Sequence, residues 1–106
     1  MIDIVVKQSD GRTVLGFSQV RGVVFRNPKV PCIRHVGIYE QGADRRANYV
    51  WSIRLDRDAQ CVGLAAVEVG VVPMGWREVH PLKVMPGKTY FAEVHGIGWG
   101  ETSVTF

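Results

Sequence analysis

Val84-Met85-Pro86-Gly87-Lys88-Thr89-Tyr90-Phe91-Ala92-Glu93-Val94-His95-Gly96 joins a tight turn to an alternating strand. Pro86 presets its φ and Gly87 accepts a positive one, so the dipeptide turns the chain by a stated mechanism. The period of two then puts Tyr90, Ala92, Val94 and Gly96 on one face and Phe91, Glu93 and His95 on the other. From its place four residues after the proline, the Tyr90 hydroxyl can reach back to the backbone of the turn. The stretch speaks of fold and carries no chemistry of its own.

The same grammar runs outward from it. Downstream, Gly96-Ile97-Gly98-Trp99-Gly100 is a glycine-rich hairpin, and residues 102–106 form a last strand. Upstream, residues 76–82 are a short strand broken by Pro81, and Pro73-Met74-Gly75 is a turn. Residues 61–72 are apolar except for Glu68. Their valines and glycines favour strand over helix, and their length predicts a bent strand or two strands divided near Ala66. Residues 49–55 alternate most clearly, with Tyr49, Trp51, Ile53 and Leu55 on one side and Val50, Ser52 and Arg54 on the other. Residues 56–60 turn the chain, and residues 41–48 are a polar loop. Residues 34–40 are a strand, entered after Asn27-Pro28-Lys29-Val30-Pro31, whose prolines exclude a central strand. Residues 13–17 and 20–26 read as one long or two short strands, interrupted by Gly16 and Gly22, which predict a bulge or a bend between sheets. Asp10-Gly11 marks a hairpin after residues 2–7, where Ile2, Ile4 and Val6 share a face.

Roughly seven to nine short strands, with turn signals every 8–12 residues and no amphipathic helix, predict an all-β domain. The 106 residues fit one domain, residues 1–106. Apolar residues at 46% and charged residues at 22% argue against disorder. No apolar run approaches the roughly 18 residues of a membrane span. The N-terminus opens directly in a strand pattern without a signal-peptide character, which points to the cytoplasm unless a leader has been removed. On that ground Cys32 and Cys61, which form no C-x-x-C, are expected as reduced thiols rather than a bridge. The net charge of +3 is local. Residues 21–58 carry eight basic side chains against four acidic ones, a bias that steers anionic partners or simply keeps a small protein soluble.

Val84, Pro86 and Tyr90, followed by Ala92, Val94 and Gly96, resemble the entry to a late strand of fibronectin type III or immunoglobulin-like domains. There a leucine, a proline two residues on and a tyrosine four beyond it precede an alternating strand; here Val84 stands in the leucine's place. The hairpin and last strand of residues 96–106 follow in the same order, and Trp51 resembles the core tryptophan of strand C. The resemblance covers the C-terminal third, and residues 1–48 do not share it. It implies a single antiparallel two-sheet sandwich, immunoglobulin-like, with Tyr90 as a tyrosine corner. A small β-barrel is the alternative. The architecture implies no particular function.

The candidate sites are few. His35, His80 and His95 are too far apart in sequence for a ligand motif, although Glu93 and His95 share a strand face; no native metal site and no cofactor are expected. Gly-x-Ser-x-Gly and phosphate-loop motifs are absent, and Cys61 opens an apolar segment where a thiol is inert, so no catalytic residue is assigned and the chain is read as no enzyme. Trp99 among three glycines is either a recognition residue, with Ile97 beside it, or a cap on the core. Arg45, Arg46 and Arg57 are candidate binding residues on the basic stretch. Nucleic acid is disfavoured because Tyr49 alternates with Trp51 toward the core, leaving no exposed aromatic among the arginines. The leading expectation is a stand-alone, non-catalytic binding module for a protein partner or for itself, through residues 96–100 and 41–48. The last strand offers an edge for homo-oligomeric pairing. A small-molecule or carbohydrate binder is the alternative, marked by an exposed aromatic platform.

Overall fold

The alternation of residues 90–96 is realised in full. In the computed structural model, which describes residues 1–19, 30–41, 49–56 and 61–106, Thr89–Gly96 is strand β8, with Tyr90, Ala92 and Val94 fully buried. Gly87 sits at φ 83°, and the Lys88 amide donates to the Met85 carbonyl at 3.2 Å, closing the turn. The Tyr90 hydroxyl accepts a hydrogen bond from the Met85 amide at 2.9 Å. A buried phenol thus finds its partner in the turn that precedes it, as the sequence predicts.

The other strands are β1 (Ile2–Ser9), β2 (Arg12–Gln19), β3 (Cys32–Tyr39), β4 (Tyr49–Leu55), β5 (Val62–Gly63), β6 (Ala66–Glu68), β7 (Trp76–His80) and β9 (Trp99–Thr105). All pairings are antiparallel. The smaller sheet has the order β1-β2-β6, and the larger β7-β4-β3-β8-β9 with β5 beside the start of β3. Asp10 (φ 51°) and Gly11 (φ 77°) make the two-residue loop between Ser9 and Arg12, the left-handed pair that fits the twist of a hairpin. Ile2, Leu15, Phe17 and Val67 of the smaller sheet pack against Val36, Ile38, Trp51, Ile53, Ala92, Val94 and Val104 of the larger one. The fold is therefore an all-β antiparallel sandwich. The Trp51 ring is fully buried, and its indole N–H donates to Glu78 at 3.0 Å. No helix among the described residues is long and apolar enough to cross a membrane.

Residues 61–72 divide near Ala66, as their length predicts. β5 joins the larger sheet and β6 the smaller. At the crossing the Leu64 amide donates to the Pro31 carbonyl and the Phe17 amide to the Ala65 carbonyl, so one short segment is tied to both layers. Strand 20–26, most of the 41–48 loop and most of the 56–60 turn lie outside the described residues.

Two expectations change. Cys32 and Cys61 form a disulfide rather than two thiols. Cys32 pairs with Gly63 in the register of β3 and β5, which brings Cys61 within a Cα–Cα distance of 5.3 Å, inside the range a bridge requires. Tyr49 faces away from the core, opposite to Trp51. The register of β3 with β4 slips between Ile38 and Tyr39, so Ile38 opposes Trp51 while Tyr39 opposes Tyr49, and Val50 is the extra residue of a bulge. β9 is the outer strand of the larger sheet, beside β8, and the Gln8 side-chain amide of β1 donates to the Thr105 carbonyl at 2.6 Å.

Replacing Tyr90 by Phe removes the only change-sensitive part of this corner, the hydroxyl, and leaves the Met85 amide without it. We expect a loss of about 1–2 kcal/mol in urea unfolding, with the spectrum of the folded state unchanged. Reducing the Cys32–Cys61 bridge, which closes a separation of 29 residues, frees the unfolded chain and is expected to lower stability by about 3–4 kcal/mol in the same measurement.

Candidate functional site

The face of the larger sheet turned away from the core is where the chemistry collects. Strand alternation alone puts His35, Gly37 and Tyr39 of β3 outward when Val36 and Ile38 are buried. Ile33 is buried too, because the register with β8 slips between Ile33 and His35. On β8, Phe91, Glu93 and His95 take the outward positions. The pairing then sets His35 opposite His95, Gly37 opposite Glu93 and Tyr39 opposite Phe91. β4 adds Tyr49, Ser52 and Arg54, β7 adds His80 opposite Ser52, and β9 adds Trp99 opposite His95 and Glu101 opposite Glu93. Three histidines that are distant in sequence thus share one surface.

Gly37 shapes the middle of this surface. A Cβ there would stand 2.5 Å from Cε1 of Tyr49, so the absence of a side chain is what lets the Tyr49 ring lie across β3. From that position the ring meets His35 edge-on, with centroids 5.5 Å apart, and His80 at 5.3 Å. Its hydroxyl donates to Oε1 of Glu93. Glu93 is only 2% exposed, and Oε2 lies 3.4 Å from Nε2 of His95. Glu93 and Glu101 are direct cross-strand neighbours, a like-charge pairing that opposes the sheet unless each carboxylate is matched. Both are matched by phenols, since Tyr39 donates to Oε2 of Glu101 as Tyr49 does to Glu93. Tyr39 is itself stacked on Phe91 with centroids 5.7 Å apart.

His35 titrates far from the ordinary imidazole range. Burial lowers its pKa from 6.5 to about 4, against the opposing pull of the Glu93 carboxylate; electrostatic interaction with His95, Arg54 and His80 lowers it further. At neutral pH it is an uncharged ring with a lone pair to offer. Nitrogen atoms of His35 and His95 and a carboxylate oxygen of Glu93 all lie within 4.8 Å of one another, close enough to converge on a cation. Ser52 Oγ and His80 Nδ1 share a hydrogen bond of 2.6 Å, but Ser52 is 1% exposed, so the hydroxyl is closed to a substrate.

Of the binding residues predicted from sequence, Trp99 is half exposed, at 50%, on this outer face. It does not cap the core. Ile97, at the tip of the same hairpin, is 76% exposed. Arg45, Arg46 and Arg57 lie outside the described residues. Tyr39, Glu101 and the meeting of His35 with His95 are not singled out by sequence reasoning, and Tyr49, which the alternation places toward the core, lies on this outer face instead. The alternation of residues 35–39 held the signal, because pairing it with residues 91–95 sets His35 and His95 on the same side. Comparison with known proteins gives no matching family model, no matching curated protein and no matching solved structure.

The depressed pKa of His35 ties stability to pH. The unfolded chain binds this proton near pH 6.5 and the folded chain only near pH 4, so the contribution is complete above the upper value and is lost as pH falls through that window. With a chelator present, the free energy of unfolding is expected to fall by on the order of 2 kcal/mol more between pH 7 and pH 4 in the native chain than in His35→Gln. Equal slopes for the two proteins would count against the burial of a neutral His35.

Proposed function

We propose that this chain is a non-catalytic binding module that takes a hydroxyl-rich small ligand, of the carbohydrate class, on the outer face of the larger sheet. The observation that carries this reading is the half-exposed Trp99 ring on the same face as Glu101, His95 and the phenols of Tyr39 and Tyr49. An aromatic face stacks against the C–H side of a sugar ring, while carboxylates and imidazoles at its border take the hydroxyls; apolar platforms with a few placed polar groups are what small-ligand sites require. The buried Ser52 of the Ser52–His80 pair favours a structural use of that pair over a catalytic one. Tyr90 and its bond to the turn support an immunoglobulin-like reading of the sandwich, a frame that serves binding as readily as any other role.

A second reading keeps the same hairpin and changes the partner. Ile97 and Trp99 together present apolar area at the end of the sheet, and such a pair suits a protein partner. The Cys32–Cys61 bridge also favours an oxidising compartment.

Trp99→Ala separates these readings from a structural role. The expected result is an unchanged melting temperature and a loss of glycan-array binding, with affinity down by about tenfold or more. Retained glycan binding in Trp99→Ala would remove Trp99 as the platform. Binding lost in Ile97→Ser as well, and only toward proteins, would favour the second reading. A large drop in melting temperature would return Trp99 to the core.

A further inference from the structure

We propose that His35, Glu93 and His95 form a binding site for a divalent transition metal of the zinc class. The inference does not rest on the sugar-binding reading, because Trp99 is no ligand in it. The three side chains come from two adjacent strands in fixed register. His35 and His95 are direct partners across β3 and β8, and Glu93 is two residues from His95 on the same face. Their ligand atoms lie within 4.8 Å of one another. Zinc holds nitrogen at about 2.0–2.1 Å and carboxylate oxygen at about 2.0–2.2 Å, which leaves a short inward closure for the side chains. The His95 side chain is 43% exposed and has room to make that movement, whereas Glu93 is held in place at 2%.

The donor set fits one class of ion better than others. Two imidazoles and one carboxylate suit zinc, copper, nickel or cobalt, while calcium and magnesium require sets made of oxygen. No thiolate competes, since both cysteines are in the disulfide. The carboxylate is oriented by the Tyr49 hydroxyl on Oε1, the kind of outer partner that fixes a metal-binding carboxylate. Tyr49 owes its place to Gly37. Three protein ligands leave a four-coordinate ion one further position for water or a bound ligand.

The test is calorimetric titration of chelator-stripped protein with Zn2+, repeated with Co2+ to read the ligand field by absorption. The expected result is one ion per chain and a four- or five-coordinate cobalt spectrum. In His95→Ala, Kd is expected to rise by at least about tenfold, and Trp99→Ala is expected to bind as the native chain does. Gly37→Ala, whose Cβ would crowd the Tyr49 ring and also meet Cε1 of His35 at 3.0 Å, is expected to weaken binding without removing a ligand. Absence of zinc binding at micromolar concentration, or equal affinity in His95→Ala, overturns the proposal. Glu93→Gln probes the buried ligand; if that variant fails to fold, His95→Ala decides, since its side chain lies at the surface. In the native chain, zinc binding without any glycan binding counts against the sugar reading alone, and glycan binding without zinc binding counts against the metal site alone.

Discussion

The pairing of β3 with β8 is the constraint on which the rest of the molecule depends. Its inner side supplies Val36, Ile38, Ala92 and Val94, the centre of the larger sheet's contribution to the core. Its outer side supplies His35, Glu93 and His95. Because side chains alternate with a period of two, a slip of one residue would exchange these sets, putting imidazoles and a carboxylate into an apolar layer. The burial that stabilises the sandwich is thus what holds the polar cluster in register. The cluster needs no framework of its own.

Bulges modify this rule at chosen points. One near Arg34 lets Ile33 and Val36 both face inward, and one at Val50 turns Tyr49 outward. The second has the larger effect on the surface. Without it Tyr49 would join Trp51 in the core, and Glu93 would lose the phenol that accompanies it in a nearly solvent-free position. A carboxylate buried to this degree is costly unless it is hydrogen-bonded, so the bulge and the buried charge belong together. Burial has a further effect on His35, whose ring stays neutral in the range where an ordinary histidine begins to protonate.

Much of the frame was legible in the residues. Asp10-Gly11, Pro86-Gly87 and the alternation of residues 90–96 each state their own geometry, and the division of residues 61–72 follows from length and composition. The reach of Tyr90 to the turn follows from spacing. What could not be read were features that depend on which strands become neighbours. His35 and His95 are 60 positions apart in number, and only the β3–β8 register joins them. Tyr49 was misplaced because one extra residue in a strand leaves no mark in an alternating pattern of apolar side chains. The state of Cys32 and Cys61 was judged from the N-terminus, whereas it follows from the pairing of β3 with β5. Trp99 among its glycines fits core and surface equally by sequence, and only the pairing of β9 with β8 sets it on the outer face.

The crossing at residues 64 and 65 has a mechanical consequence. The chain there bonds to both layers, and the adjacent bridge closes the segment from Cys32 to Cys61 into a covalent ring. Under tension applied at the two ends, this ring stays shut after the strands have separated. A spacing of 29 residues at roughly 3.4 Å each withholds about 100 Å of contour length from extension. The oxidised molecule is therefore a short tether with a hidden reserve, released only when a reductant reaches the sulfurs.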